Sequence, residues 1–111
     1  MKSSLRRAFR HEMDLARAAY RRRDWEAAFH YLERAHIIGQ RFIRPHTSTH
    51  WWMLKVGWRR RDWREIRGQL LRLPAALLLS RIWVPLGTTG GADVSPVKPM
   101  PLPADLADLL K

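Results

Sequence analysis

The chain of 111 residues contains no cysteine, which excludes a disulfide framework and any thiolate metal site. Acidic residues are scarce. Ten Asp and Glu stand against twenty-one Lys and Arg, seventeen of them arginine, for a formal net charge of +11. Long hydrophobic runs are missing as well. The greasiest stretch, residues 70–86, is interrupted by Arg72, Pro74 and Arg81 and is too short to span a bilayer. No apolar run follows the opening Met1-Lys2-Ser3-Ser4-Leu5-Arg6-Arg7, so no secretion signal is expected. The expectation is a cytoplasmic protein without a transmembrane segment, built as one small domain with a modest core.

What is present begins with a repeat. Arg-Arg-Arg-Asp-Trp occurs at residues 21–25 and again at 59–63, an offset of 38 residues. A fixed offset points to a repeated structural unit. Residues 3–22 read as a first helix, with Leu5, Ala8, His11, Leu15, Ala18 and Ala19 along one side. The arginine triplet closes it with cations that suit the negative end of the helix dipole. Asp24 is a natural N-cap for a second helix, which runs to a stop at Gly39. Pro45 fits the first position of a third helix over about 46–60, which a second arginine triplet closes. Asp62 and Glu65 then form a capping-box pattern for a fourth, which Pro74 kinks or ends before helical character resumes to about Trp83.

Composition shifts beyond residue 84. Glycines and threonines at 87–91 mark a loop, and Pro96, Pro99, Pro101 and Pro103 keep the following chain extended. A last helical turn is expected over 104–110. Apolar residues at Val94, Val97, Met100 and Leu102 imply that this tail packs back on the helices. The sequence thus predicts an all-α fold: a helical domain over 1–84, made of hairpins at about 3–40 and 45–83, and a Gly/Pro-rich tail over 85–111. The run Asp24-Trp25-Glu26-Ala27-Ala28-Phe29 with Tyr31, Leu32, Glu33, Arg34 and Ala35 resembles the second half of a tetratricopeptide repeat. Two such units are fewer than a solenoid needs, which favours a compact four-helix arrangement.

The five histidines all fall between His11 and His50. His46 and His50 are four apart and share a helix face, while Glu33 and His36 have the Glu-x-x-His spacing of helical metal sites. Folding the chain as hairpins turns His11, Glu33, His36, His46 and His50 toward one region, and leaves His30 off the shared face. Imidazole with a carboxylate suits a transition metal: zinc, copper, nickel or cobalt. A di-iron site is disfavoured because only one Glu-x-x-His is present. The competing reading is of helix histidines bonded to their neighbours. An enzyme is the lesser alternative, since no motif places a nucleophile. The Gly87-Thr88-Thr89-Gly90-Gly91 run lacks the Lys-Ser/Thr ending of a phosphate loop.

Two non-metal readings compete with this one. The net charge would suit a basic module that holds nucleic acid, or the same arginines are solvated helix faces. A helical adaptor would use Trp51 or Trp52, one of which must point outward because successive helical residues lie about 100° apart. Trp25 and Trp63, at equivalent repeat positions, are expected to pack.

The block His30-Tyr31-Leu32-Glu33-Arg34-Ala35-His36-Ile37-Ile38-Gly39-Gln40, with His46, His50, the loop over 87–95 and Pro99-Met100-Pro101, resembles the bacterial domain-of-unknown-function family 3703. That resemblance implies no activity. It does imply an accessory role beside heavy-metal resistance determinants, in line with a metal-binding function.

Overall fold

The computed structural model describes residues 1–79 and 101–110, with backbone alone over 75–79. Among the described residues five helices follow in order: α1 (Ser3–Arg21), α2 (Trp25–Gly39), α3 (Ile43–Arg59), α4 (Trp63–Leu79) and α5 (Ala104–Leu109). The all-α four-helix arrangement expected from the sequence is present. Each long helix packs chiefly on its chain neighbour, and α5 returns to α2. The expected loop at 85–93, Trp83, and the apolar residues Val94, Val97 and Met100 lie outside the described residues.

Both copies of the repeat fold into the same turn. In the first, the Asp24 N–H donates to the Ala19 carbonyl (2.9 Å) and the Arg23 N–H to that of Tyr20 (3.1 Å). In the second, Asp62 donates to Gly57 (2.9 Å) and Arg61 to Trp58 (3.2 Å). This pairing of the two residues after a helix is a Schellman motif. It needs a left-handed residue between cap and aspartate, and Arg23 (φ 63°) and Arg61 (φ 55°) take that role where glycine is usual. The aspartate then opens the next helix: Asp24 accepts from the Ala27 N–H and Asp62 from the Glu65 N–H, each at 3.1 Å. Only three residues separate the helices, so each pair must run antiparallel.

Four expectations are corrected. The buried side of α1 carries Leu5, Glu12, Met13, Ala16 and Ala19 rather than the stripe through His11 and Leu15. The bulk of Phe9 and Met13 seats the helix against α2, and alanines on either side left both rotations open. The second helix does stop at Gly39, but the glycine serves packing there and not a left-handed turn. A Cβ there would sit 2.6 Å from the Pro45 Cβ and 3.0 Å from the Phe9 ring, so glycine permits close helix approach. The third helix starts at Ile43, which puts Pro45 third rather than first, still inside the turn whose N–H groups need no helical partner. Pro74 neither ends α4 nor interrupts it before Leu79. Proline removes one hydrogen bond, and Leu70, Leu71 and Pro74 all face solvent there.

The core has two parts. Met13, Ala16 and Ala19 of α1 interlock with Ala28, Leu32 and Ala35 of α2 and with Met53 and Val56 of α3. Small residues on α1 and α2 let the two helices approach closely, and Leu32 and Met13 fill the seam. The second part joins Leu5, Ile37 and Ile38 to Leu106 of α5, with Leu102, Leu109 and Leu110 around them. Residues 102–110 of the tail therefore do pack back. Arg34 ties the parts together, donating to Glu12 (2.9 Å) and to Asp105. The Asp105 and Glu12 carboxylates raise the Arg34 guanidinium further above its usual range, and Arg34 in turn holds the Asp105 carboxyl below its own.

Candidate metal centre

Three of the five sequence-selected residues meet. His36 near the end of α2, and His46 and His50 one turn apart on α3, bring their ring nitrogens together in the interior, all within 4.8 Å of one another. The three-residue connector at 40–42 folds α3 back along α2, so His36 arrives beside both α3 imidazoles. Their exposures are 1%, 7% and 2%. The Nε2 of His50 lies 3.1 Å from that of His36 and 3.0 Å from that of His46. The rings meet edge to face or tilted, with centroids 4.7–4.8 Å apart. Thr49, fully buried between the α3 pair, donates its hydroxyl to the His46 carbonyl (2.7 Å) and so makes no demand on the rings.

His11 and Glu33 stand outside this cluster. His11 is exposed on α1, because the helix buries Glu12 instead. Glu33 is half-buried on the flank of α2, since the inward side of that helix passes through Leu32, Ala35 and His36. His30 is exposed beside Tyr31, as expected.

Two buried partners were not read from the sequence. Gln69 of α4 is fully buried, and its Oε1 lies 2.5 Å from His50 Nδ1. Its amide nitrogen donates to Glu65 Oε1 (3.1 Å) and to Met53 Sδ (3.5 Å). The capping-box reading of Glu65 is corrected accordingly. Its N–H does take the Asp62 cap, but its side chain turns inward to Gln69, and the Asp62 N–H is already held by Gly57. The available signal was the i, i+4 spacing of Glu65 and Gln69 beside Ile66, a polar pair on the inward face of an amphipathic helix.

The electrostatics favour neutral rings. Burial, helped by neighbouring His50, pushes His46 down to about 3. Burial also pushes His50 down to about 4, against the raising effect of the Gln69 hydrogen bond and with the Arg72 charge adding to the fall. At neutral pH the contacts then converge on one lone pair. His50 commits its Nδ1–H to Gln69, which leaves one lone pair on Nε2 facing two ring nitrogens at hydrogen-bond distance. One N–H can be accepted there. The other contact either brings a second N–H to a lone pair already used or sets lone pair against lone pair, and a cation between the rings would relieve both. A tetrahedral zinc ion with Zn–N bonds of about 2.0–2.1 Å separates two ligand nitrogens by about 3.3 Å, close to the 3.1 and 3.0 Å of the two His50 contacts.

The family model described as a protein of unknown function (DUF3703) matches residues 3–110. The chain belongs to this family. No curated protein and no solved structure matches this family member. Its described residues contain no helix long and apolar enough to cross a membrane.

An outward aromatic surface also lies on the second hairpin. Trp51 is the exposed member of the Trp51–Trp52 pair; Trp52 packs on Tyr20, with the Lys55 ammonium 3.7 Å from its ring centre. The packing expected of Trp63 is corrected: it is 62% exposed and touches only the equally exposed Trp58 among the aromatic rings of the described residues. Trp25, its repeat equivalent, is half-buried against Tyr20.

Proposed function

We propose that this protein binds one transition-metal ion through His36, His46 and His50, to buffer or hand over the ion rather than to catalyse a reaction. The observation that carries this reading is the meeting of three buried imidazole nitrogens, two of them within 3.1 Å of the single His50 Nε2. Neutral imidazoles with no carboxylate or thiolate among them suit zinc, copper, nickel or cobalt, and would hold magnesium or calcium poorly. His11 and Glu33 are not assigned to the shell. A role beside heavy-metal resistance, as the family resemblance implies, fits such a site, and the absence of a placed nucleophile argues for binding without turnover.

Elemental analysis of the purified, untagged protein should return about one equivalent of metal after exposure to Zn, Ni, Cu or Co. Cobalt(II) should give visible ligand-field bands, and EDTA should abolish them. Lack of stoichiometric uptake, or uptake unchanged by His36→Ala with His50→Ala, would overturn the proposal.

A second reading rests on a separate observation. A groove of about 300 Å³ on the second hairpin is lined by Tyr20, Trp51, Leu54, Trp58, Ile66 and Leu70, with Lys55 and Arg59 at its edge. Exposed tryptophans around an apolar groove are the features of a protein-docking surface. Loss of partner capture on Trp51→Ala, with metal uptake intact, would identify it as a distinct function.

A further inference from the structure

α4 supplies no ligand to the histidine cluster, yet it buries two polar side chains beside it. Ordinary packing does not call for this, since a buried amide and carboxylate are costly unless every polar atom finds a partner. Here the partners define an order. Glu65, 6% exposed, presents carboxylate oxygens, and Met53 presents a thioether sulfur. Both are acceptors, so both draw the amide nitrogen of Gln69. The amide has one remaining end, its carbonyl oxygen, and that end faces His50 Nδ1. A carbonyl only accepts, so Nδ1 carries the ring proton and Nε2 is left with its lone pair aimed at His36 and His46.

We infer that Glu65 and Gln69 are positioning residues of the metal centre: Glu65 orients the Gln69 amide, and the amide fixes His50 as the Nδ1–H tautomer with Nε2 ready to bind. The inference rests on the metal-binding reading for its purpose, but its tautomer claim stands apart from it. A hydrogen bond of this kind to the distal ring nitrogen orients a ligating histidine and raises its basicity. Placing an amide between imidazole and carboxylate makes the pull weaker than direct contact with Glu65 would. The centre is thereby set for an ion that is held and released, in keeping with a buffering or transfer role. The register follows from the fold. Glu65 and Gln69 are four residues apart, on the same side of α4 as Ile66, and that side lies on the α3 stretch carrying His50 and Met53.

The test pairs tautomer and affinity. ¹⁵N NMR of the imidazole nitrogens in the metal-free protein should find the His50 proton on Nδ1, and Gln69→Leu should abolish that preference. Cobalt(II) titration should show binding weakened about 10- to 100-fold in Gln69→Leu. The exchange Glu65→Gln with Gln69→Glu keeps the pair bonded but sets the carboxylate directly on His50. It should bind cobalt(II) at least as tightly as the wild type. A wild-type proton on Nε2, a Gln69→Leu protein that binds within twofold of the wild type, or an exchanged protein that binds more weakly than the wild type, would overturn the inference. If Gln69→Leu fails to fold, the wild-type tautomer and the exchanged protein decide alone. A wild type that binds no cobalt(II) but shows the Nδ1–H tautomer would sink the metal reading and leave the orienting role in place.

Discussion

The two hairpins begin from the same five residues and end with opposite interiors. Their turns superimpose hydrogen bond for hydrogen bond: the same pair of closing contacts, the same left-handed arginine, the same aspartate cap. Between α1 and α2 the turn leads into Met13, Ala16, Ala19, Ala28, Leu32 and Ala35, a dry apolar seam flanked by the Glu12–Arg34 ion pair. Between α3 and α4 it leads into His46, His50, Thr49, Glu65 and Gln69, all buried and polar. The difference is also visible at the surface, where Trp25 is sheltered by Tyr20 while Trp58 and Trp63 stand exposed. A turn motif determines how two helices meet, and says nothing about what they enclose. In this chain the first hairpin encloses apolar packing and the second, with His36, gathers buried polar side chains at the candidate metal centre.

Substitutions can separate these roles. The largest effect is expected for Leu32→Ala in the dry seam. It should lower unfolding free energy in urea by about 3 kcal/mol, while folded protein retains its full metal stoichiometry. A similar loss, about 3 kcal/mol, should follow Arg34→Ala. It strands the Glu12 carboxylate, 8% exposed, one of whose oxygens has no hydrogen-bond partner among the described residues. The paired change Glu12→Leu with Arg34→Met should recover most of that stability, because it removes the stranded charge along with its partner.

Acid should distinguish the polar interior from the apolar one. His46 and His50 have folded values near 3 and 4, below the ordinary 6.5, so the unfolded chain binds more protons between those limits. Stability is therefore fully present above about pH 6.5 and falls as pH drops toward 4. Lowering pH from 7.5 to 5.5 should cost about 3 kcal/mol in the metal-free protein, read from urea midpoints. A flat profile would mean that the rings are not held neutral.

Smaller effects test whether the turns are energetically equal as well as geometrically alike. Asp24→Ala and Asp62→Ala should each cost about 1 kcal/mol, as removal of an N-cap does. A much larger loss for Asp62 would tie the second turn to the seating of Glu65. Smallest of all, Arg23→Gly and Arg61→Gly should each raise stability by about 0.5 kcal/mol, since glycine takes positive φ without the steric cost.

Much of this organisation was legible in the chain. Asp24 and Asp62 as caps, the arginine triplets as closures, the short last helix and its return to the bundle all followed from local chemistry. His36, His46 and His50 could be selected because i, i+4 spacing and hairpin folding are both local. His11 and Glu33 could not be excluded, for a physical reason. Each residue along a helix turns the side chain by about 100°, so a one-residue uncertainty in rotation moves a histidine from the core to solvent. On α1 the rotation was settled by Phe9 and Met13 packing on α2, which exposed His11 and buried its neighbour Glu12. Gln69 was invisible for a related reason, since a glutamine has no role until the group across from it is known.

By itself the sequence determined the helices, the turn used twice and the tail that folds back, because capping, dipole complementarity and apolar period act within a few residues. Tertiary structure alone decided which polar side chains share a point and which nitrogen of His50 faces a hydrogen-bond acceptor. Those outcomes depend on the rotation of three helices against one another, and on a buried amide whose only satisfactory arrangement puts its oxygen on His50.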